Sequence, residues 1–159
     1  MIIGLNLLYL LPGVVGGTET YAAGLLKGLA AHGDESRFVV FVNRESAAWP
    51  LPASPRFRRV VCPVHARSRL ARYRFEQLRL PALVQAEGVE LLHSLGYVAP
   101  LRLGRPSVVT VHDLHYRSYG PWRQWPRRLL LDCIVGASIR RAAAVITVSR
   151  FMRDAIART

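Results

Sequence analysis

The stretch PGVVGGTETYAAGLLKGLAAHG, residues 12–33, follows almost directly on the apolar opening MIIGLNLLYLL. Its first part holds Gly13, Gly16 and Gly17 and reads as a tight turn. In its second part Ala22, Leu25, Leu26, Leu29 and Ala30 recur at helical spacing on one face, with Gly33 as the expected C-terminal cap. A short continuous apolar run, a glycine turn and an amphipathic helix make the first half of a β–α–β unit.

The alternation continues along the chain. Arg37–Asn43 reads as a second strand, and the segment 46–56, with Pro50, Pro52 and Pro55, as a loop without a clear helix. Further strands are expected at Arg59–Cys62, Val89–His93, Ser107–Val111 and Ala144–Val148. Helices are expected over 66–86, where Pro81 marks a kink or a new first turn, over 122–141 with Pro126 near its start, and from Arg150 to Arg158. Strands alternating with helices predict an α/β fold: one Rossmann-like domain over residues 1–159, a mostly parallel sheet with helices on both faces.

Composition limits the function classes. Hydrophobic residues make up 51% of the 159 residues, which excludes a disordered chain. The formal charge is +12, and Lys27 is the only lysine. Arginine binds phosphate and carboxylate in a planar fork, so an anionic partner is one reading, and a GC-rich coding sequence is the other. Nucleic acid is the weakest partner class, because no recognition motif is present and the aromatics do not interleave with the basic residues. Cys62 and Cys133 lie in apolar contexts without CxxC spacing and read as buried, reduced thiols of a cytosolic protein. The apolar start lacks the basic n-region of a signal peptide, and no segment reaches the ~20 apolar residues of a membrane span.

In a parallel sheet the carboxyl ends of the strands share one rim, and ligands bind where the strand order reverses. The polar residues gather at those ends: Gly16, Gly17, Thr18 and Glu19 after the first strand, His93 at the end of the fourth, His112 and Asp113 after the fifth, Ser149 and Arg150 after the sixth. With a strand order of 3-2-1-4-5-6 the glycine turn, His93 and His112 would crowd one crevice. Glycine lets a ligand approach the backbone, and the helix start at Thr18 offers free N–H groups to a phosphate or a sugar oxygen. Glu19 in that first turn suits sugar hydroxyls better than a bare dianion. His112 can exchange a hydrogen bond at neutral pH or gain a proton where charge develops; His93 reads more as a packed strand end. A metal held by His112, Asp113 and His115 is a minor reading, because no closed ligand set is fixed, and no metal is expected. The arginine-rich segment, with Arg67, Arg69, Arg72, Arg74 and Arg79 against a partial stripe of Leu70, Tyr73 and Leu78, reads first as a solvated face. Its other readings are a membrane-surface helix or a site for a phosphorylated acceptor.

Together PGVVGGTETYA, VELLHS, VVTVHDL and AAVITVSRFMRDAI resemble, in the same order, the N-terminal half of family 4 glycosyltransferases of the GT-B fold. The resemblance covers nearly the whole chain. It implies the acceptor-side domain of a retaining enzyme that transfers sugar from a nucleotide-diphospho-sugar to a glycan or lipid-linked acceptor, with no cofactor beyond that co-substrate. Gly16 and Gly17 would then lie near the donor diphosphate and the acceptor, and His112 beside the transferred sugar, aiding an oxocarbenium-like transition state. Ser149 and Arg150 would face the cleft. The family's donor domain, with its paired glutamates, is not found in the 159 residues, so the chain alone is expected to be inactive. A non-catalytic module for a phosphorylated or glycosylated ligand and another GT-B enzyme, such as a nucleotide-sugar epimerase, are the alternatives. Enzymes of cell-envelope polysaccharide synthesis fit a cytoplasmic protein seated peripherally on the inner face of the plasma membrane.

Overall fold

The computed structural model describes residues 1–33, 35–113 and 125–157. Six strands, β1 (Ile2–Asn6), β2 (Arg37–Val42), β3 (Phe57–Val61), β4 (Leu91–Ser94), β5 (Ser107–Val111) and β6 (Ala144–Thr147), form one sheet. Its order is β3-β2-β1-β4-β5-β6, and every pairing is parallel. The helices are α1 (Gly17–Ala31), α2 (Arg69–Leu78), α3 (Leu80–Ala86), α4 (Trp125–Arg141) and α5 (Arg150–Ala157). The expected α/β architecture and strand order are both present. Expected helical residues 122–124 and 158 lie outside the described residues.

Alternation along β2 shows how the sheet is buried. Phe38, Val40 and Val42 pack with Leu5, Leu7, Leu26 and Ala22 on the α1 face, while Val39 and Phe41 pack with Leu80, Val84 and Leu92 on the α3 face. Successive side chains of a strand point to opposite faces, so a continuous apolar run is what a doubly covered strand requires. Each fully buried Leu, Val or Phe here is worth about 1.5–3 kcal/mol against exposure. A third cluster, of Val109, Val111, Ala99 and Met152, joins β5 to α5.

The local expectations for Gly33 and Cys133 are corrected, and those for Pro81 and the β2–β3 connection are met. Gly33 does not cap α1. The helix ends at Ala31, and His32, in an extended conformation, donates its N–H to the Gly28 carbonyl. Pro81 lies in the first turn of α3, so the basic segment is two helices. Cys133 is exposed, whereas Cys62 is buried and burial pushes its thiol up to about 12. The β2–β3 connection carries no helix. Asn43 fastens it instead, donating to the carbonyls of Leu8 and Leu10 and accepting from Ser46 N–H.

Gly4 sits in the most crowded position of β1. A Cβ there would stand 2.9 Å from Leu92 Cδ1, 3.0 Å from Val89 Cγ1 and 3.2 Å from the Phe41 ring. Gly4→Ala is therefore expected to cost about 1–3 kcal/mol through overpacking. Gly24→Ala, on the exposed side of α1 with open space around it, should gain about 0.5–1 kcal/mol. Urea midpoints of the two variants check both signs.

Candidate functional site

β1 pairs with β2 on one side and β4 on the other, so connections leave the ends of β1 and β4 in opposite directions. Asn6 and Ser94 stand opposite each other at these ends. The Asn6 amide donates to Ser94 Oγ and to Glu76 Oε1, and its own oxygen accepts the Leu8 N–H. Above this pair opens a cleft of about 340 Å³. Val15 and Thr18 line one wall, His112 and Asp113 another, and Arg72 and Glu76 of α2 a third.

The glycine turn is built for a sharp entry into α1. Gly16 has φ +57° and ψ −126°, a conformation that residues with a side chain do not readily adopt. Thr18 Oγ1 donates to the Val15 carbonyl. Glu19 clasps the turn: one carboxylate oxygen accepts the Gly13 N–H at 2.8 Å and the other accepts Trp49 Nε1–H at 3.0 Å. Both oxygens thus have partners within the chain, and Glu19 braces the bend that Thr18 presents to the cleft. Tyr9 adds a second brace, its hydroxyl donating to the Thr18 carbonyl.

His112 is held from two directions. Its Nε2 lies 2.9 Å from the Leu95 carbonyl. A carbonyl only accepts, so Nε2 carries the proton, and in the neutral ring Nδ1 is an acceptor. The Tyr21 ring of α1 meets the imidazole edge-on, with centroids 4.8 Å apart. Tyr21 thereby ties the His112 ring to the helix that begins at the glycine turn. His93 is buried beneath, with Nε2 at 2.7 Å from Thr110 Oγ1. Burial, and then the neighbouring His112, push His93 down to about 4. Ser149 and Arg150 are exposed at the edge of the sheet and do not line the cleft; Ser149 Oγ accepts the Met152 N–H and caps α5. His115 lies outside the described residues, and no group of three metal-ligating side chains occurs among those described.

Sequence reasoning put the third wall first as a solvated face, with a site for a phosphorylated acceptor among its other readings, and did not single out Glu76. The basic segment is not simply a solvated face. Arg72 and Glu76 are its buried residues, whereas Leu70 and Leu78 are 63% and 69% exposed. Burial pushes the Glu76 carboxyl up to about 7, with Arg72 and the Asn6 amide opposing. Two signals were available: Asn6 is the lone polar residue of the opening apolar run, and Glu76 is the acid four residues after Arg72 in a stretch of arginines.

The sheet order, the crevice at its reversal and the glycine bend facing an imidazole define a Rossmann-like half of a GT-B fold. The sequence profile of Glycosyltransferase Family 4 matches residues 15–159. The chain belongs to this family, a glycosyltransferase type of enzyme. A comparison with curated proteins returns no match.

Glu76 and His93 give opposite pH dependence to stability. Glu76 keeps its proton to about pH 7 in the fold, against 4.5 ordinarily. The fold binds the extra proton between those values, and this contribution is lost as pH rises through them. The His93 ring takes its proton at 6.5 ordinarily and near 4 in the fold. Its contribution is complete above 6.5 and is lost as pH falls toward 4. Each is worth on the order of 3 kcal/mol. In urea titrations from pH 4.5 to 6.5, the midpoint of His93→Gln should fall with pH relative to wild type, and that of Glu76→Gln should rise.

Proposed function

We propose that this domain is the acceptor side of a retaining glycosyltransferase that moves a sugar from a nucleotide-diphospho-sugar to a glycan or lipid-linked acceptor. The observation that carries the reading is the shared cleft: the Thr18 end of the glycine bend and the His112 ring stand on its walls, at the reversal of the sheet. Gly16 and Gly17 let the donor diphosphate approach the backbone, and the first amides of α1 meet its charge. His112 acts beside the transferred sugar. Its Nε2–H is committed to Leu95, so Nδ1 is the nitrogen left to accept a sugar hydroxyl. Asp113 adds an acceptor on the same wall. His93 and Glu19 act through position, the first beneath His112 and the second behind the bend. Ser149 and Arg150 would meet substrate only beyond this cleft, from the donor side. No cofactor or metal enters the reading.

Transfer on this reading requires a donor-binding domain in addition to residues 1–159. The 159-residue protein should show no turnover with any nucleotide-sugar. In an enzyme that carries both domains, His112→Ala should lower kcat at least about 10²-fold with KM little changed. Unchanged turnover with weakened ligand binding would favour a non-catalytic binding module instead, and an epimerised nucleotide-sugar among the products would favour an epimerase.

The outer face of α2 supports a peripheral seat on an anionic membrane. Leu70 and Leu78 stand exposed there, one turn on either side of Arg74, with Arg67 nearby. No helix among the described residues is long and apolar enough to cross a membrane. The expected result is retention on vesicles containing phosphatidylglycerol at low salt, weakened by Leu70→Glu with Leu78→Glu and by added salt. Failure to bind at any ionic strength removes the membrane from the account.

A further inference from the structure

Arg72 is a buried guanidinium without a hydrogen bond. Its side chain is 9% exposed, and its Nε–H, shielded from solvent, has no acceptor. Glu76, four residues on, comes no closer than 3.8 Å to that nitrogen, and Glu76 Oε2 is likewise without a partner. The Tyr73 ring covers the guanidinium at 4.6 Å and holds it in place without accepting a proton from it in the plane of the fork. Among the described residues Nε is the guanidinium nitrogen of Arg72 that is both buried and without an acceptor. Buried donors are normally hydrogen-bonded, so a guanidinium whose buried Nε–H finds no acceptor on the wall of a cleft points to a ligand that supplies one.

We infer that Arg72 is the subsite for a phosphate group carried by the acceptor substrate, with Arg69 at the cleft mouth as its second cation. The planar fork matches two phosphate oxygens, which neither a sugar hydroxyl nor a water satisfies as fully. Glu76 does not satisfy Arg72: its Oε2 stays 3.8 Å from Arg72 Nε, and burial pushes its carboxyl up to about 7, which weakens its hold on the guanidinium. The cleft, at about 340 Å³, lies at the low end of small-molecule sites. It holds a phosphate and roughly one sugar or polyol ring, which brings a hydroxyl of that ring toward the His112 wall. That Arg72 binds an oxyanion stands on its own geometry; that the oxyanion belongs to the acceptor rests on the acceptor-side reading above.

Titration calorimetry on the 159-residue protein, with inorganic phosphate and with glycerol 1-phosphate, tests the inference. Arg74→Gln, an exposed arginine of the same helix, controls for the +12 background charge. Arg72→Gln should weaken both ligands at least tenfold, Arg72→Lys less, and Arg74→Gln less than twofold. Equal weakening by Arg72→Gln and Arg74→Gln, or none by either, overturns the subsite. If Arg72→Gln does not fold, amide shifts of the wild type decide. Movement centred on Arg72, Gly96 and Tyr97 on adding phosphate supports the site, and movement spread over the exposed arginines overturns it. A parallel arm uses vesicles of phosphatidylcholine and phosphatidic acid. Retention lost on Arg72→Gln assigns the phosphate to a lipid headgroup, and unchanged retention assigns it to a soluble acceptor. Displacement of bound phosphate by uridine diphosphate would leave the oxyanion site standing and overturn its assignment to the acceptor.

Discussion

The site depends on one constraint of parallel sheets: where strand order reverses, two neighbouring strands send their connections to opposite sides, and a gap opens between their ends. Here the gap lies between β1 and β4. The Asn6 side chain spans its base, holding Ser94 across the strand pair, the Leu8 amide along the chain and Glu76 of α2 from above. Asn6 thereby fastens α2 to the sheet, while Glu19 and Tyr9 brace the glycine bend and the Leu95 carbonyl and the Tyr21 ring hold His112. The chemistry of the cleft is a consequence of where the strands end.

The third wall follows a different logic from the core. α2 turns Arg72 and Glu76 inward, keeps Arg69 and Arg74 exposed and leaves two leucines outside, unlike an ordinary amphipathic helix. A buried ion pair seldom adds stability over an apolar pair of similar volume, and this pair is held beyond hydrogen-bond distance. Its presence beside His112 is therefore better understood through a ligand than through folding. Glu19 shows the opposite case. Placed in the first turn of α1, it reads from sequence as a ligand for sugar hydroxyls, yet Gly13 and Trp49 already occupy its oxygens. The same residue type brings chemistry to one wall and bracing to another, depending on what surrounds it.

The sheet was legible because its signals are local. The runs at 2–5 and 38–42 are continuous and apolar and that at 107–111 is mostly so, and the helical spacing of Ala22, Leu25, Leu26 and Leu29 leaves little choice of face. The rim residues Thr18, His112 and Asp113 could be grouped because topology alone brings strand ends together. Arg72 was named among five arginines, but its inward turn and its partner Glu76 escaped because burial of a charge is decided by tertiary contacts. Nothing in RSRLARYRFEQL distinguishes the inward arginine from its exposed neighbours except one glutamate at i+4. The end of α1 at Ala31 escaped similarly: Gly33 has the right chemistry for a cap, but the chain turns extended at His32 before reaching it. Ser149 and Arg150 share the rim but follow β6, at the far edge of the sheet, with β5 between β6 and β4.

The account's central claim is that the glycine bend and the His112 imidazole serve one bound molecule. A nuclear magnetic resonance titration of the labelled protein with α-glucose 1-phosphate tests it most directly. The account predicts that the amides of Gly16, Gly17 and Thr18 and the ring signals of His112 shift together along one saturation curve, while residues at the amino ends of the strands, such as Arg37 and Arg58, stay still. Shifts at the bend with an unmoved His112 ring, or two unrelated curves, would contradict it.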